Sequence, residues 1–291
     1  MENIDDAGVS IIIPAYNEEK TVGRVIDEIR DVLDSLQSDY EVIVIDDGSS
    51  DATPQIVGGK EDIVFMRSEC NEGYGASLKK GIARSRYDTL IIIDADGTYP
   101  NNKIPELLKY RREYDMVVAA RTGKDIHIPI LRKIAKYILR TLANYLSGKK
   151  IPDLNSGFRL MKKDQVRSIL NILPSGFSFT TTVTLAFLTS GRPVKYVPID
   201  YDHRGRLSKF HPIKDTASML SLIVRTILFF NPLKIFVPLG FVFIAAGAIV
   251  FFWSMFCLPK ILDTTTMILA MAGIQTLVIG LLADLIDRRT R

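Results

Sequence analysis

One apolar run that ends in two acids constrains the fold of this chain more than any other segment. Thr89–Ile93 is short and rich in β-branched residues, and Asp94, Ala95 and Asp96 follow it directly. Such a run, bounded by turn residues, is typical of a buried strand in a parallel sheet. Ligands of open α/β sheets bind beyond the carboxyl ends of these strands. The segment therefore predicts an α/β fold with a site at its two acids.

The spacing of the two acids suits a divalent cation. Mg²⁺ in proteins takes one or two carboxylates together with phosphate oxygens and waters. Asp94 and Asp96 therefore predict a metal ion that holds a diphosphate. The competing interpretation is a turn acid or a helix cap after the strand. The ends of the other predicted strands decide between the two.

Apolar strands alternate with helical patterns through the first 120 residues. The predicted strands are Val9–Ile13, Glu41–Ile45, Ile63–Met66, Thr89–Ile93 and Met116–Ala120. The predicted helices are Glu19–Leu36, a helix opened by Asn71–Gly75 that runs through Arg84, and Ile104–Tyr114. This alternation indicates right-handed βαβ units and a mostly parallel, Rossmann-like sheet. Polar residues gather where three of the strands end, namely Tyr16 and Glu18, Asp46 and Asp47, Asp94 and Asp96.

The strand ends also exclude two common nucleotide-binding classes. A dinucleotide-binding dehydrogenase needs Gly-x-Gly-x-x-Gly directly after its first strand. Here Pro14–Glu18 follows the first strand and contains no glycine, and Gly73 and Gly75 come only after the third. The sequence contains no P-loop Gly-Lys-Ser/Thr motif either.

Two uncharged runs near the end predict a transmembrane hairpin. Leu233–Leu258 is uncharged apart from Lys234, and Thr264–Ala283 has no charge. A hydrocarbon layer of about 30 Å needs about 20 apolar residues, so both runs are long enough to span it. A pair of buried core helices is the alternative, but runs of this kind are rare in soluble domains. The arginines after the second run predict that both termini and the catalytic domain are cytosolic.

Basic and amphipathic segments precede the hairpin. The net charge is only +4, but Arg121–Lys150 holds eight lysines and arginines against one acid, Asp125. Nucleic acid or anionic lipid could explain this cluster. Residues 128–146 and 213–231 have apolar residues at helical spacing, and we favour interfacial helices over ordinary core-facing ones. We expect a lipid bilayer and no nucleic acid as partner, because a nucleic-acid binder would explain neither the spans nor the acid-lined strand ends.

The motifs, taken in order, resemble the family 2 glycosyltransferases of GT-A fold, and among them the polyprenyl-phosphate (dolichyl-phosphate) mannose and glucose synthases. The resemblance covers roughly residues 9–232. The segments that carry it are Pro14–Glu18, Asp46–Ser49, Asn71–Gly75, Asp94–Asp96, Asn155–Arg159 and Arg204–Lys209. Pro14–Glu18 resembles the family's opening nucleotide loop, Asp46–Ser49 a base or ribose loop, and Asn71–Gly75 the helix-opening glycines. Asp94–Asp96 resembles the metal motif, Asn155–Arg159 the acceptor-side segment, and Arg204–Lys209 a basic loop near the diphosphate.

The resemblance implies a set of site residues and a divalent cofactor. The implied nucleotide-sugar ligands are Pro14, Tyr16, Glu18, Asp46, Asp47, Gly75, Asp94, Ala95 and Asp96. Mg²⁺ or Mn²⁺ is implied at Asp94 and Asp96. The implied acceptor and diphosphate ligands are Arg121, Arg159, Arg204, Ser208 and Lys209. Among these, the residues expected to act in catalysis are Asp96, Arg121 and Arg159.

Two departures from the family pattern matter. Arg206 stands where the family's basic loop usually has glycine, so the backbone of that loop can differ. Phe179–Val183 lacks the acid that many relatives carry near the start of that helix. A hydroxyl acceptor benefits from a general base, whereas a phosphate monoester has a second pKa of about 6 and is already largely dianionic at neutral pH. The missing acid therefore favours a lipid phosphate as acceptor.

The sequence thus predicts a GT-A domain over residues 1–212, an amphipathic helix over 213–231 and a transmembrane hairpin over 232–291. We expect inverting transfer from a UDP- or GDP-linked sugar to polyprenyl or dolichyl phosphate at the cytosolic face of a membrane, the cell membrane in a prokaryote or the endoplasmic reticulum in a eukaryote.

Two other functions stay open. Transfer to a sugar hydroxyl of a glycan or glycolipid is the first. Its processive synthases typically carry a Gln/Arg-x-x-Arg-Trp motif near the membrane, and they are disfavoured because the only tryptophan, Trp253, lies within a predicted span. A non-catalytic nucleotide-sugar-binding membrane protein is the second, but it would be expected to lose Asp94 or Asp96. The sugar, the nucleotide, the polyprenol and the oligomeric state are left open.

Overall fold

A computed structural model describes residues 8–121, 141, 143–145, 148–176, 178–200, 232–258 and 262–290. The chain forms two compact units, Met1–Leu220 and Ser221–Arg291. The predicted amphipathic helix over 213–231 and most of the one over 128–146 lie outside the described residues.

A seven-stranded sheet forms the centre of the first unit. Its strands are β1 Val9–Ala15, β2 Tyr40–Asp46, β3 Ile63–Arg67, β4 Thr89–Ile92, β5 Met116–Arg121, β6 Arg159–Lys162 and β7 Val194–Ile199. Their order is β3-β2-β1-β4-β6-β5-β7. All neighbouring pairs are parallel except those made by β6, which runs antiparallel to both β4 and β5. The prediction of a mostly parallel α/β sheet is confirmed.

Eight α-helices are described. They are α1 Val22–Ser35, α2 Thr53–Gly58, α3 Tyr74–Arg84, α4 Ile104–Leu108, α5 Lys163–Arg167, α6 Phe179–Thr189, α7 Leu233–Cys257 and α8 Asp263–Thr290. The longest helix of the first unit, α1, buries the side chains of Val22, Val25, Ile26, Ile29 and Leu33. Their spacing of three and four residues places them on one face, which packs onto the sheet.

The core explains why the central strands form where they do. Every residue of β1 is buried, and so are the last five residues of β2. Strands covered on both faces consist of near-continuous Val and Ile runs, because neither face meets water. Truncating a fully buried isoleucine such as Ile12 to alanine is expected to cost roughly 2–5 kcal/mol. This rigid centre fixes the position of the loops at its edge.

Some helix bounds and two strands differ from the sequence-based expectation. Helix α1 begins at Val22 rather than Glu19, and α4 ends at Leu108 rather than Tyr114. Strands β6 and β7 were not predicted. Strand β6 has four residues with a cation at each end, and β7 contains Pro198. Because β7 lies at an edge of the sheet, proline can be accommodated there.

The second unit is a hairpin of two long apolar helices. Helices α7 and α8 match the predicted runs and are long and apolar enough to cross a membrane. Large apolar side chains point outward, including Phe256 at 77% exposure and Ile249 at 68%. Small residues lie between the helices instead, with Gly240, Gly247 and Ser254 buried. This arrangement reverses the pattern of a protein folded in water.

Candidate active site

The carboxyl ends of β1, β2 and β4 lie side by side. β1 pairs in parallel with both neighbours, with Ala15 opposite Asp46 and Ile12 opposite Ile92. Parallel strands end at the same edge of a sheet, so the loops that follow them meet there. The structure therefore brings together the three acid-bearing loops.

Hydrogen bonds join the loop after β1 to the loop after β2. The backbone N–H of Asn17 donates to Ser49 Oγ at 2.9 Å, and Asn17 Oδ1 accepts from the N–H of Ser50 at 2.9 Å. The N–H of Glu18 donates to Thr53 Oγ1, also at 2.9 Å. These bonds hold the predicted nucleotide loop in a defined shape before any ligand binds.

The predicted nucleotide-binding residues of the first and third loops differ in exposure. Tyr16 is 47% exposed, so its ring is open to a flat ligand. Pro14 and Ala95 are buried, and Glu18 is partly buried. Tyr16 can therefore stack on a base, whereas Pro14 and Ala95 are packed beneath the loop surface.

Asp46 is a fully buried carboxylate with local partners. Its Oδ1 accepts from the backbone N–H of Ser49 at 3.2 Å, and its Oδ2 lies 3.2 Å from the Nε of Arg67. The carboxylate has no exposed surface. This placement does not favour the direct contact with base or ribose expected from the sequence, which stays a prediction. It favours a supporting role under the second loop.

Asp47 anchors the start of α3. Its two oxygens accept the backbone N–H groups of Glu72 at 3.0 Å and Gly73 at 2.9 Å. Gly75, in the first turn of α3, packs so closely on the carbonyl oxygen of Pro174 that a side chain there would collide with it. The described contacts of Asp47 and Gly75 thus fix the helix start, and their predicted contacts with a nucleotide stay predictions.

Asp94 lies between a tyrosine and a glycine. The hydroxyl of Tyr74 donates to Asp94 Oδ1 at 2.8 Å. Burial raises the pKa of Tyr74 well above its ordinary value, and the charge of Asp94 raises it further, so the hydroxyl keeps its proton. On another side, a Cβ at Gly157 would collide with the Asp94 carboxylate. This carboxylate is therefore held in place by its surroundings.

Asp96 is oriented by its own turn. Asp96 Oδ1 accepts from the backbone N–H of Thr98 at 3.0 Å and from Thr98 Oγ1 at 2.6 Å. Gly97 between them has φ +69°, in the left-handed region that glycine adopts without strain. The turn thus contributes two hydrogen bonds that orient the carboxylate of Asp96.

The two acids fit a divalent cation as partial ligands. No group of three or more His, Cys, Asp or Glu side chains that could hold a metal occurs among the described residues. A cage made only of these side chains is therefore not found in that part of the chain. Two carboxylates completed by phosphate oxygens and waters are the ligand set that Mg²⁺ typically accepts.

The far side of the sheet edge carries an ion pair between Arg121 and Asp153. Arg121 Nε lies 2.6 Å from Asp153 Oδ2, and Arg121 Nη2 donates to Oδ1 at 2.9 Å. Burial raises the pKa of Asp153, but the hydrogen bonds and charge of Arg121 outweigh it, so the pKa lies below its ordinary value. The bidentate geometry holds the guanidinium at the end of β5.

Arg159 does not reach solvent. Its guanidinium donates to the carbonyl oxygen of Ser156, to that of Thr180 at 3.1 Å and to Thr184 Oγ1 at 3.0 Å. The exposed fraction of Arg159 is 0%, and burial lowers the pKa of its guanidinium. A direct contact with phosphate, expected from the sequence, is not favoured by this burial. Arg159 instead joins the 153–159 segment to helix α6, whose first turn has no acid.

Sequence reasoning missed Tyr74, Tyr99 and Thr184. Tyr99 accepts the backbone N–H of Gly157 at 2.7 Å, and its ring packs edge-on against Phe158 with centroids 5.9 Å apart. Burial raises the pKa of Tyr99, followed by the charge of Asp94. The only available signals were a tyrosine inside Asn71–Gly75 and threonines four residues apart in α6.

The basic loop predicted at Arg204, Ser208 and Lys209 lies outside the described residues. Its expected contacts with the diphosphate and acceptor stay predictions, as does the effect of Arg206.

Comparison with known protein families shows which family the chain with this acid-lined edge belongs to. Residues 10–170 match the family described as glycosyl transferase family 2. The matched segment contains all three acid-bearing loops and more than half of the chain. The chain belongs to glycosyl transferase family 2. It is therefore a glycosyltransferase, and residues 231–288 match a second family, the GtrB C-terminal hairpin. The match and the two long apolar helices indicate that this glycosyltransferase is membrane-associated.

Curated relatives include several family 2 enzymes. The chain is 28% identical over 209 residues to an undecaprenyl-phosphate mannosyltransferase of Micrococcus luteus, covering 67% of this chain and 84% of that one. It is 26% identical to a dolichyl-phosphate β-glucosyltransferase of Dictyostelium discoideum, covering 76% and 74%. An uncharacterised protein of Methanocaldococcus jannaschii is 30% identical, covering 65% and 87%.

Solved structures support the fold. A glucosyl-3-phosphoglycerate synthase of Mycobacterium tuberculosis, determined with Mn²⁺, UDP-glucose and phosphoglyceric acid, superposes with a TM-score of 0.60 at 20% identity and covers 76% of this chain and 80% of that one. This likeness confirms the expected GT-A-like arrangement of the family 2 domain.

Proposed function

We propose that this glycosyltransferase moves a sugar from a UDP- or GDP-linked donor to a polyprenyl phosphate at the cytosolic face of a membrane. The observation that carries the proposal is the combination, in one chain, of a family 2 domain with a GtrB-type apolar hairpin. The names of the relatives supply the acceptor class, since two of them are transferases for undecaprenyl or dolichyl phosphate.

The donor side is assigned to the three loops after β1, β2 and β4. Tyr16, half exposed on loops that hydrogen bonds hold in shape, is assigned to the base. Asp94 and Asp96 are assigned to a divalent cation on the diphosphate. A bound Mg²⁺ or Mn²⁺ supplies positive charge that stabilises the departing nucleoside diphosphate.

The acceptor side is assigned to cations. A lipid phosphate with a second pKa of about 6 is largely dianionic at neutral pH and needs no general base. It needs donors that hold it in line with the anomeric carbon, and the planar guanidinium suits phosphate. Arg121, fixed by Asp153, is the described candidate, and Arg204, Ser208 and Lys209 are the candidates from sequence.

The reaction follows from this arrangement as a single displacement. An oxygen of the lipid phosphate attacks the anomeric carbon from the side opposite the nucleotide, and the C–O bond to the diphosphate breaks. The configuration at that carbon inverts. No covalent enzyme intermediate is formed, so the chain contributes mainly positioning and charge stabilisation.

The proposal is tested with the full chain in membranes. Radiolabelled UDP-glucose, UDP-N-acetylglucosamine and GDP-mannose are supplied in turn with undecaprenyl phosphate or dolichyl phosphate, and label is measured in the lipid extract. We expect one donor to label the lipid. Polyprenol without phosphate is the matched control acceptor and is expected to stay unlabelled. Label in no lipid extract, or equal label on free polyprenol, would overturn the phosphate acceptor.

Orientation is tested through the exposed cysteine of the family 2 domain. Cys70 is exposed, and replacing Cys257 with serine leaves it as the only thiol. A membrane-impermeant maleimide is expected to label this variant in inverted bacterial vesicles and not in right-side-out vesicles. Labelling in right-side-out vesicles alone would place the domain on the other face.

A further inference from the structure

Tyr74, the first residue of α3, reaches Asp94 in the acid-bearing loop after β4. Tyr74 is partly buried, and its hydroxyl donates to Asp94 Oδ1 at 2.8 Å. Twenty residues separate the two in sequence. The contact therefore links two of the loops that meet at the site.

The side of Asp94 that faces Gly157 is closed as well. A Cβ at Gly157 would collide with the carboxylate, so only glycine permits this approach. Gly157 is itself held by its N–H, which donates to Tyr99 at 2.7 Å. The carboxylate of Asp94 thus lies between a hydrogen-bond donor and a fixed backbone wall, and its rotation is restricted.

Tyr74 in turn is fixed by the loop after β2. Asp47 accepts the N–H groups of Glu72 and Gly73, the two residues that precede Tyr74. Two residues beyond Tyr74, the N–H of Ala76 donates to the carbonyl oxygen of Ser175 at 2.9 Å. Backbone hydrogen bonds before and after Tyr74 therefore fix the residue whose hydroxyl contacts Asp94.

We infer that Tyr74 is a positioning residue for the metal-binding acid Asp94. The inference rests on the proposed function, because it assumes that Asp94 and Asp96 hold a divalent cation on the donor diphosphate. Tyr74 touches neither substrate nor metal in this role. It orients a ligand, as hydrogen-bonded partners of metal-binding side chains commonly do, and loss of such a partner typically weakens metal affinity or activity about 10–100-fold.

The substitution Tyr74→Phe tests this by removing one hydroxyl and keeping the ring. Binding of Mn²⁺ in the presence of UDP and of GDP is measured on the detergent-solubilised full chain from the electron paramagnetic resonance signal of free Mn²⁺. We expect the half-saturating Mn²⁺ concentration to rise about tenfold or more. Nucleotide binding measured in EDTA should change less than twofold, whereas a collapsed site would lose both.

A matched control exists at the other end of the same sheet. Tyr40, at the start of β2, donates through its hydroxyl to Asp34 Oδ1 at 2.6 Å. Tyr40→Phe removes the same kind of bond and should leave Mn²⁺ binding unchanged. A second variant, Gly157→Ala, presses on Asp94 from another side and should also weaken Mn²⁺ binding.

The outcomes separate this inference from the proposed function. If the wild type binds Mn²⁺, Asp96→Asn does not, and Tyr74→Phe binds as the wild type does, the positioning role is overturned while the metal site stands. If the wild type binds no Mn²⁺ with either nucleotide, both the metal assignment and the role of Tyr74 are overturned.

Discussion

Two neighbouring parts of the sheet edge hold their charged groups in opposite ways. We call the part formed by β1, β2 and β4 the acid side and the part formed by β5 and β6 the cation side. On the side of β1, β2 and β4, carboxylates are fixed by donors: Asp47 by two backbone amides, Asp94 by a tyrosine hydroxyl, and Asp96 by Thr98. On the side of β5 and β6, cations are fixed by acceptors: Arg121 by Asp153, and Arg159 by carbonyl and hydroxyl oxygens.

The difference matches the proposed substrates. Both are anionic, but the donor diphosphate is to be met through a cation bound by acids, whereas the acceptor phosphate is to be met by arginine itself. In each case the residue is held before the ligand binds, so less conformational freedom is lost when it does. Substitutions on the two sides should therefore fail in different ways.

The largest effect is expected on the acid side. Asp96→Asn keeps an oxygen for Thr98 but removes the negative charge assigned to the proposed cation. We expect sugar transfer to fall about 1,000-fold, since such a cation contributes several kcal/mol of charge stabilisation. Thermal stability should change little. Asp62→Asn is the control, an exposed acid just before β3, and should keep wild-type activity. Full activity of Asp96→Asn would contradict the proposal that the donor diphosphate is bound through a cation on the acid side.

The next effect concerns stability rather than activity. Arg159→Met leaves the carbonyl oxygen of Ser156 without its buried guanidinium donor, whereas the carbonyl oxygen of Thr180 still accepts from Thr184 Oγ1 at 2.8 Å. We expect a loss of about 1–3 kcal/mol in unfolding free energy, the cost of leaving one buried acceptor unsatisfied. Thermal unfolding of the full chain measures it. The exposed Arg167→Met should be near neutral. If Arg159→Met abolished transfer without destabilising the protein, Arg159 would belong with the phosphate ligands after all.

A smaller effect is expected when the partner of Arg121 is neutralised. Asp153→Asn weakens the bidentate contact that fixes the guanidinium. We expect transfer at low acceptor concentration to fall about tenfold, a loss of about 1.4 kcal/mol, with the donor KM unchanged. Asp115→Asn disturbs a similar pair, with Lys162 at 2.9 Å, at the opposite end of β5 and should not alter kinetics. An altered donor KM would argue against the division of the edge into two sides.

The smallest effect concerns acid stability. The pKa of Asp153 is lower in the folded protein than its ordinary value of 3.8. A depressed pKa contributes stability that is present above about pH 4 and is lost as the pH falls through the folded value, because the unfolded chain then binds the proton first. As the pH falls from 5 through the pKa of Asp153 in the folded protein, the wild type should therefore lose more unfolding free energy than Asp153→Asn. Urea titration at each pH measures the unfolding free energy of both proteins. Parallel curves would contradict this.

The acid side was predictable from sequence, and the reason is local. Strands β1, β2 and β4 are apolar runs with an acid at their end or within three residues of it, so strand and predicted site residue are read from one segment. The cation side depends on distant partners. Strand β6 is too short and too charged to stand out, and Arg159 is buried because Thr180 and Thr184 in α6 accept its hydrogen bonds. Tyr74 was hidden for the same reason, since its partner Asp94 lies 20 residues away in the loop after β4.

The antiparallel strand β6 has a consequence for how the protein is made. Strand β4 is complete at residue 92, but the strand that covers its free edge begins only at Arg159. While the chain grows on the ribosome, the backbone of Ile91 and Ile92 on that edge has no partner from this side of the sheet until β6 emerges. Unpaired strand edges invite pairing with other chains. Nascent chains halted between residues 121 and 159 should therefore be the ones that depend most on chaperones.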